Sequence, residues 1–369
     1  MRILIVGAGI AGLAAARALE IHGHRVNIVE RHTESPVAGQ SIFLLGNAMR
    51  ALGDLGLQEQ VRAQACPIGA QTIMSSRGKV LNHVVTNDLW DSCGPCVALH
   101  RRALIEVIQQ SLANTQIDFG TSVIHTISRP ECREVYFSDG RVQEYDLVIG
   151  ADGLRSSIRA SAFPESVPKP TGLFAWRLLT QNRYGIEGWT AMLGAGKTLL
   201  AIPLNDSELY LYADSFAKDF GDGSISALKA AFRDFASPLG PIVANLSDVI
   251  DAHRSAIEEV PFSTFIAGRL ALIGDAAHAS SPSMAQGAGM AIEDAVVLAE
   301  CISRPQPVTS ALSQFHELRK HRVAWVQKQS RNRDRLRTAP DLVRNMLLGV
   351  LGNRLYHVAY DSLIEPFPR

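Results

Sequence analysis

The sequence predicts an α/β fold in which a Rossmann-like domain is interrupted by an inserted, mostly antiparallel β-sheet domain. Three observations carry that expectation. The apolar run Ile3-Leu4-Ile5-Val6 enters Gly7-Ala8-Gly9-Ile10-Ala11-Gly12 and then a helical stretch ending at Gly23. Residues 145–159 and 269–295 repeat the passage from apolar strand through a Gly/Asp turn to a helix. Between them the runs "LFAWRLL", "WTAML", "TLLAIPL" and "ELYLYAD" alternate as strands of an antiparallel sheet do. The expected division is 1–165 with 266–369 as one discontinuous domain and 166–265 as the other, joined by part of 70–96.

The chain of 369 residues is long enough for one large or two ordinary domains. Lys and Arg total 36, as do Asp and Glu, so no net charge favours nucleic acid or an anionic membrane as the main partner. No unbroken apolar run reaches the roughly 18 residues of a spanning helix. The N-terminal run is cut by ordered glycines and carries no signal-peptide pattern. Five cysteines make no disulfide framework, which suits a reducing cytoplasm. A monomer or homodimer is expected.

The first motif has a physical reading. Gly7 permits the tight turn, Gly9 lets a pyrophosphate approach the backbone, and Gly12 lets helix and strand pack closely. Phosphates would then meet the free N–H groups of the helix start, at Ile10 and Ala11. A second apolar run closes on Glu30, placed to accept hydrogen bonds from a ribose diol. This is a dinucleotide fingerprint in its full context, and it does not choose between NAD and FAD.

The other two motifs choose. "YDLVIGADGLRSSIR" at 145–159 and "RLALIGDAAHASSPSMAQGAGMAIEDA" at 269–295, following the fingerprint in this order, resemble the FAD-dependent aromatic monooxygenases related to p-hydroxybenzoate hydroxylase, and within them the salicylate hydroxylase-like branch. The resemblance covers 1–165 and 266–335 well and the middle loosely. It implies a Rossmann-like FAD-binding domain, FAD as cofactor and NAD(P)H as cosubstrate. It also implies hydroxylation of a small aromatic or heteroaromatic substrate with O2, which reacts at the flavin C4a position. It gives Glu30 and Arg31 to the adenosine ribose and Arg101 to the FAD from a helix start. Asp152 links FAD and pyridine-nucleotide binding, and Gly274 and Asp275 meet the ribityl or pyrophosphate end. Pro282, Gly287, Ala288 and Gly289 line the flavin ring, although many relatives carry Asn in place of Gly289. An epoxidase or reductase on the same fold is the alternative.

The Gly-rich loop opening a helix near residue 287 has a direct rationale. Its unpaired N–H groups and partial positive charge would favour an anionic reduced flavin. The substrate candidates lie in the inserted region. Arg177, in "FAWRLL", either faces inward to hold a carboxylate or phenolate, or sits on the outer face of a half-exposed strand. Tyr210 and Tyr212 share one strand face, and Trp189 is a further pocket candidate. Arg177 and Tyr212 are the leading catalytic candidates.

Several motifs point elsewhere and fail on context. "CGPC" at 93–96 is the dithiol of thioredoxin-like proteins, yet it follows a polar run and the next helix begins only near Arg101, so a turn is expected and a dithiol oxidoreductase is the remote alternative. His100, four residues past Cys96, has no matching second pair to complete a zinc site, and no metal is expected. "LGAGKT" at 193–198 lacks the leading glycine of a phosphate loop and precedes a strand, so it is a hairpin turn. No second dinucleotide fingerprint appears, which points to a transient nicotinamide site. His278 in "DAAH" is expected to be a packed polar residue. The basic stretch "SQFHELRKHRVAWVQKQSRNRDRLR" is expected to be a packed helix with a solvated charged face.

Overall fold

The computed structural model describes residues 1–34, 41–261 and 263–367. Its central feature is a five-stranded sheet in the order Leu270–Leu272, Leu147–Gly150, Arg2–Val6, Arg25–Glu30 and Gln116–Phe119. Every neighbouring pair is parallel. Strands covered on both faces need continuous apolar runs, and Ile3-Leu4-Ile5 and Leu147-Val148-Ile149 are fully buried. The register sets Val6 beside both Gly150 and Val29, and Gly150 beside Leu272. The three motif turns therefore leave the sheet at one edge, the carboxyl ends of its strands, where open α/β sheets bind ligands.

The fingerprint helix Ile10–Ile21 buries its small residues Ala14, Ala15 and Ala16 and packs against the helix Gly287–Ser303. Small side chains let the two helix axes approach closely, so the first and third motifs become neighbours.

The second body is a seven-stranded sheet ordered Ala252–Glu259, Lys169–Gln181, Glu208–Phe216, Lys197–Pro203, Trp189–Gly194, Ala70–Ser75 and Val80–Val85. All pairs are antiparallel except Trp189–Gly194 with Ala70–Ser75. Two strands from 70–85 thus extend the sheet, while 87–90 forms a short helix. The "LGAGKT" stretch is a hairpin whose tip, Ala195-Gly196, has both φ angles positive.

Strand period divides this sheet into two unlike faces. Trp176, Leu178, Leu209 and Leu211 pack under the helices Ile225–Phe232 and Leu239–Ala244. Leu173, Ala175, Tyr210 and Tyr212 face the other way, toward Met284, Trp90, Tyr356 and Tyr360. Two helices close the chain, Val308–Thr338 and Asp341–Ile364.

The basic helix packs with a solvated face at Glu317, His321, Lys328 and Arg335, but not all of its arginines lie on that face. Arg319, Arg322 and Arg337 on it are buried rather than solvated. The reason lies on the helix Gly287–Ser303, which buries Glu293 and Asp294 among apolar neighbours. Arg319 bridges both acids at 2.7 Å, and Arg322 reaches Glu293 at 2.8 Å. A buried carboxylate requires such partners.

Candidate active site

The dinucleotide cradle begins with backbone contacts that only glycine allows. Gly7 has φ +109°, and a Cβ there would lie 2.5 Å from the Ala151 carbonyl oxygen. A Cβ on Gly12 would lie 1.9 Å from the Gly7 carbonyl oxygen, whereas one on Gly9 would meet nothing within 4 Å. Gly7 and Gly12 therefore close the turn, and Gly9 is the open approach. Around it lies a cavity of about 220 Å³, bounded by Gly9, Glu30, Arg31 and Asp152, and by Thr121 and Ser122 on the far side.

Glu30 is buried, and its oxygens accept from the Ala8 N–H at 2.9 Å and the His32 N–H at 3.0 Å. It braces the turn as well as facing the cavity, and a carboxylate keeps lone pairs for a ribose. Arg31 beside it is exposed at the cavity rim. Asp152 caps the helix Ser157–Ala162: its Oδ2 accepts from the Ser157 N–H at 2.8 Å and the Ser157 hydroxyl at 3.1 Å. Its Oδ1 is buried and finds no partner among the described residues. Arg159, from the same motif, ties the turn to the third motif by donating to the Ala276 carbonyl at 2.8 Å.

In the third motif Gly274 has φ +58°, and a Cβ there would sit 2.9 Å from Ala11 Cβ. Its N–H is taken by Asp294 at 3.0 Å, so Gly274 shapes the turn through packing. Asp275 opens the short helix Asp275–His278 and stays exposed, close to Gly287. His278 is buried, with its Nε2 2.6 Å from Asp294, and so belongs to the charged cluster under the helix rather than to an open site. Burial alone would raise the Asp294 carboxyl, but His278 and Arg319 outweigh it and hold it below the usual range.

The Pro282–Met284 turn precedes the Gly-rich helix start. Pro282 and Gly287 are exposed and Ala288 is half-buried. Gly289 faces inward: a Cβ there would meet Gln286 Oε1 at 2.8 Å and Asn47 Nδ2 at 3.3 Å. Asn47 itself donates to Gln286 and Glu293, both at 2.9 Å. The open end of the helix is thus presented by Gly287 and Ala288.

Arg101 is the first residue of the helix Arg101–Gln110. Its Nε is buried with no hydrogen-bond partner among the described residues. Burial lowers its pKa, and Asp275, Tyr210 and Arg177 are its charged and polar neighbours. Arg101 thereby joins the cradle to the aromatic sheet face.

On that face Arg177 settles the choice between its two orientations. It stands beside Tyr212 in register, with its guanidinium 5.5 Å from the Tyr212 ring centre, and donates to Ser255 Oγ at 2.6 Å. Among the described residues it forms no ion pair with a carboxylate. Tyr210 is buried against it. Tyr212 donates to Asp214 at 2.8 Å, and burial pushes its phenol well above the ordinary value. Trp189 is half-buried against the same cluster.

The dithiol is a turn. The N–H groups of Cys93 and Gly94 both bond the Trp90 carbonyl, at 2.8 and 3.0 Å. The Cys93 thiol donates to the Ile364 carbonyl at 3.3 Å, and burial pushes the Cys96 thiol up to about 12, away from a reactive thiolate.

Sequence reasoning missed three groups: Thr121 and Ser122 in the cavity wall, the Glu293–Asp294–Arg319 cluster, and Asp214 beneath Tyr212. Only the second left a local signal, two adjacent acids flanked by the apolar runs of one helix.

The residues present fit FAD. The open backbone at Gly9, the unpartnered Arg101 Nε and Asp152 Oδ1, and the exposed Asp275 and Gly287 describe an extended cradle with donors and acceptors to spare. Such a cradle beside a separate aromatic sheet face suits a flavoprotein that acts on an aromatic substrate. The family model for the FAD binding domain matches residues 1–330. The chain is 32% identical over 339 residues to the 2-heptyl-3-hydroxy-4(1H)-quinolone synthase of Pseudomonas aeruginosa, covering 89% of this chain and 88% of that one. It is 30% identical to the aurachin C monooxygenase/isomerase of Stigmatella aurantiaca, covering 88% and 86%. The crystal structure of Klebsiella pneumoniae HpxO with FAD and uric acid superposes with a TM-score of 0.89 at 24% identity, over 100% of this chain and 98% of that one. The chain belongs to the FAD-binding-domain family of flavoprotein monooxygenases and is an FAD-dependent monooxygenase. Among the described residues no helix is long and apolar enough to cross a membrane.

Proposed function

We propose that this enzyme hydroxylates a heteroaromatic ring bearing an acidic hydroxyl or ring N–H, of the quinolone type, with NAD(P)H as reductant. The observation that carries this reading is Arg177. It is a cation without a carboxylate partner among the described residues, set on an aromatic face with Tyr210 and Tyr212 and reaching toward Arg101. Such a group holds an oxyanion of an electron-rich ring by a charge-assisted hydrogen bond. Two relatives at 30% identity or more, a 2-heptyl-3-hydroxy-4(1H)-quinolone synthase and an aurachin C monooxygenase/isomerase by name, support a bicyclic nitrogen ring.

FAD, when bound, supplies the two-electron and O2 chemistry. Glu30, Arg31, Arg101, Asp152 and Asp275 would hold it, and the start of the Gly287–Ser303 helix would favour negative charge at the flavin ring. Arg177 and the two tyrosines orient the substrate, while Trp90, Met284 and Tyr360 keep water from that face. In this reading 1–165 with 266–369 hold the cofactor, and 166–265 with part of 70–96 hold the substrate. The free cysteines support a cytoplasmic enzyme.

The test is a screen of NAD(P)H oxidation across hydroxyquinolones, phenols and aromatic acids, with product mass measured under labelled O2. A quinolone-type compound is expected to accelerate oxidation and gain one labelled oxygen atom. Label that never enters any product defeats the oxygenase reading, and label entering only benzoates defeats the ring assignment.

A further inference from the structure

A buried chain of polar groups runs from the aromatic sheet face to the turn ahead of the Gly-rich helix. Tyr212 donates to Asp214 Oδ2 at 2.8 Å. Arg337 Nη1 donates to the same oxygen at 2.7 Å, and its Nη2 donates to Asp334 Oδ1 at 3.0 Å. Asp334 Oδ1 in turn accepts from the Ser283 hydroxyl. Three elements far apart in sequence are joined: the strand Glu208–Phe216, the helix Val308–Thr338 and the turn Pro282–Met284.

The turn is gripped at its carbonyls as well. Arg333 donates to Ser283 O at 3.0 Å, and the Tyr360 hydroxyl donates to Met284 O at 3.2 Å. The next residue, Ala285, is held at φ +51°, the left-handed region that non-glycine residues seldom adopt. A backbone so placed depends on its surroundings to stay there.

Fastening alone does not account for this chain. Asp214 and Arg337 are 2% and 6% exposed, yet Asp214 Oδ1 and Arg337 Nε have no hydrogen-bond partner among the described residues. Apolar side chains would pin the helix to the sheet without desolvating two charges. The centre of the chain keeps spare bonding capacity, so a change at Tyr212 can be met by re-pairing.

We propose that Asp214, Arg337, Asp334 and Ser283 are positioning residues, a relay that carries occupancy of the aromatic face, sensed at Tyr212, to the Ser283 turn. The proposal rests on the function proposed above, because it takes that face as the substrate side. The planar fork of Arg337 is essential to it: one guanidinium reaches both carboxylates, and an ammonium at the same position holds only one.

Arg337→Lys and Ser283→Ala test the relay. The first keeps the charge, and the second trims one hydroxyl from a half-buried turn, so it carries the test if the first fails to fold. Amide hydrogen exchange at residues 281–286 is read in the FAD-loaded protein without substrate. Both variants are expected to retain FAD, Ser283→Ala with a Tm near wild type and Arg337→Lys with a lowered one, and both to exchange several-fold faster there. With substrate, KM is expected to stay near wild type while kcat falls and peroxide released per nicotinamide oxidised rises about three-fold or more. The substrate-induced change in flavin absorbance is expected to shrink. Unchanged exchange in the folded variants overturns the relay, whatever the substrate is. Faster exchange with wild-type coupling overturns it too, by reducing the chain to a fastening. A wild-type enzyme that oxygenates no aromatic compound overturns the functional reading alone, since the exchange measurement needs no substrate.

Discussion

The edge of the parallel sheet and the open face of the antiparallel sheet are built on opposite principles. At the edge, function follows from backbone: Gly7, Gly12 and Gly274 are defined by what a Cβ would strike, within 3 Å in each case. On the open face, function follows from side chains: Arg177, Tyr210 and Tyr212 are defined by what they leave unpaired or face inward. Backbone constraints tolerate no substitution and so impose fixed spacing. Side-chain constraints tolerate many arrangements, which is where the proposed function puts substrate choice.

The largest expected effect breaks the backbone side. Gly12→Val puts a branched side chain where even one carbon would lie 1.9 Å from a carbonyl oxygen. The variant is expected to purify colourless and to bind no added FAD, measured by flavin absorbance after gel filtration. Near-normal FAD content would show that the helix can shift and that close packing at Gly12 is not required.

The next effect probes the charged cluster under the Gly287–Ser303 helix. Removing one partner of a buried ion pair costs about 3–5 kcal/mol, and Glu293→Ala strands Arg322 and leaves Arg319 with Asp294 alone. A urea or thermal melt is expected to show a loss of that size. Burial alone would raise the Glu293 carboxyl, but the two arginines hold it below its ordinary value. The sign follows: this stability is present above the usual carboxylate pKa of about 4 and is lost as pH falls through the depressed folded value. Glu293→Ala is therefore expected to flatten the acid limb of the stability curve, and an unchanged acid limb would remove the cluster from the account.

The same contrast explains what the sequence revealed. The fingerprint, the Gly/Asp turns and the hairpin at Ala195-Gly196 are local: the chain meets itself within a few residues, so spacing encodes geometry. The burial of Arg319 was not legible, because its acids lie on another helix and nothing near it in sequence demands them. The inward orientation of Arg177 was likewise open, since strand alternation gives two faces without saying which one is covered. Asp214 was invisible for a third reason: an acid near a strand end reads as solvated until Arg337 arrives from a helix 123 residues away.

On the side-chain face, Arg177→Ala removes a charge-assisted contact worth roughly 1.5–3 kcal/mol, or about ten- to hundred-fold in binding. KM for the aromatic substrate is expected to rise by that factor, with extra peroxide released, while FAD content stays at the wild-type level. Steady-state oxidation and a peroxide assay decide it. Wild-type KM would pass the substrate contact to Tyr210 or Tyr212, and lost FAD would mean that the two regions are less separate than they look.

The smallest effect sharpens the comparison from the negative side. Cys93 and Cys96 have the spacing of a redox dithiol, so they are a motif by sequence without the environment that gives a motif its chemistry. An active thiol needs a lowered pKa, from a helix start or a nearby cation. Cys96 has the reverse, a thiol pushed up to about 12 by burial, and Cys93 spends its proton on the Ile364 carbonyl beside the C-terminal helix. Arg50 does approach Cys93 at 3.3 Å, but its guanidinium is committed to the carbonyls of Leu363, Ile364 and Glu365. The double change Cys93→Ser and Cys96→Ser is therefore expected to leave flavin reduction and oxygen transfer within a few-fold of wild type. Its main cost is the modest packing loss of two small buried side chains, read in a thermal melt. A folded, FAD-loaded double mutant with no turnover would mean that a motif can carry chemistry without its setting, and would put the dithiol back into the reaction.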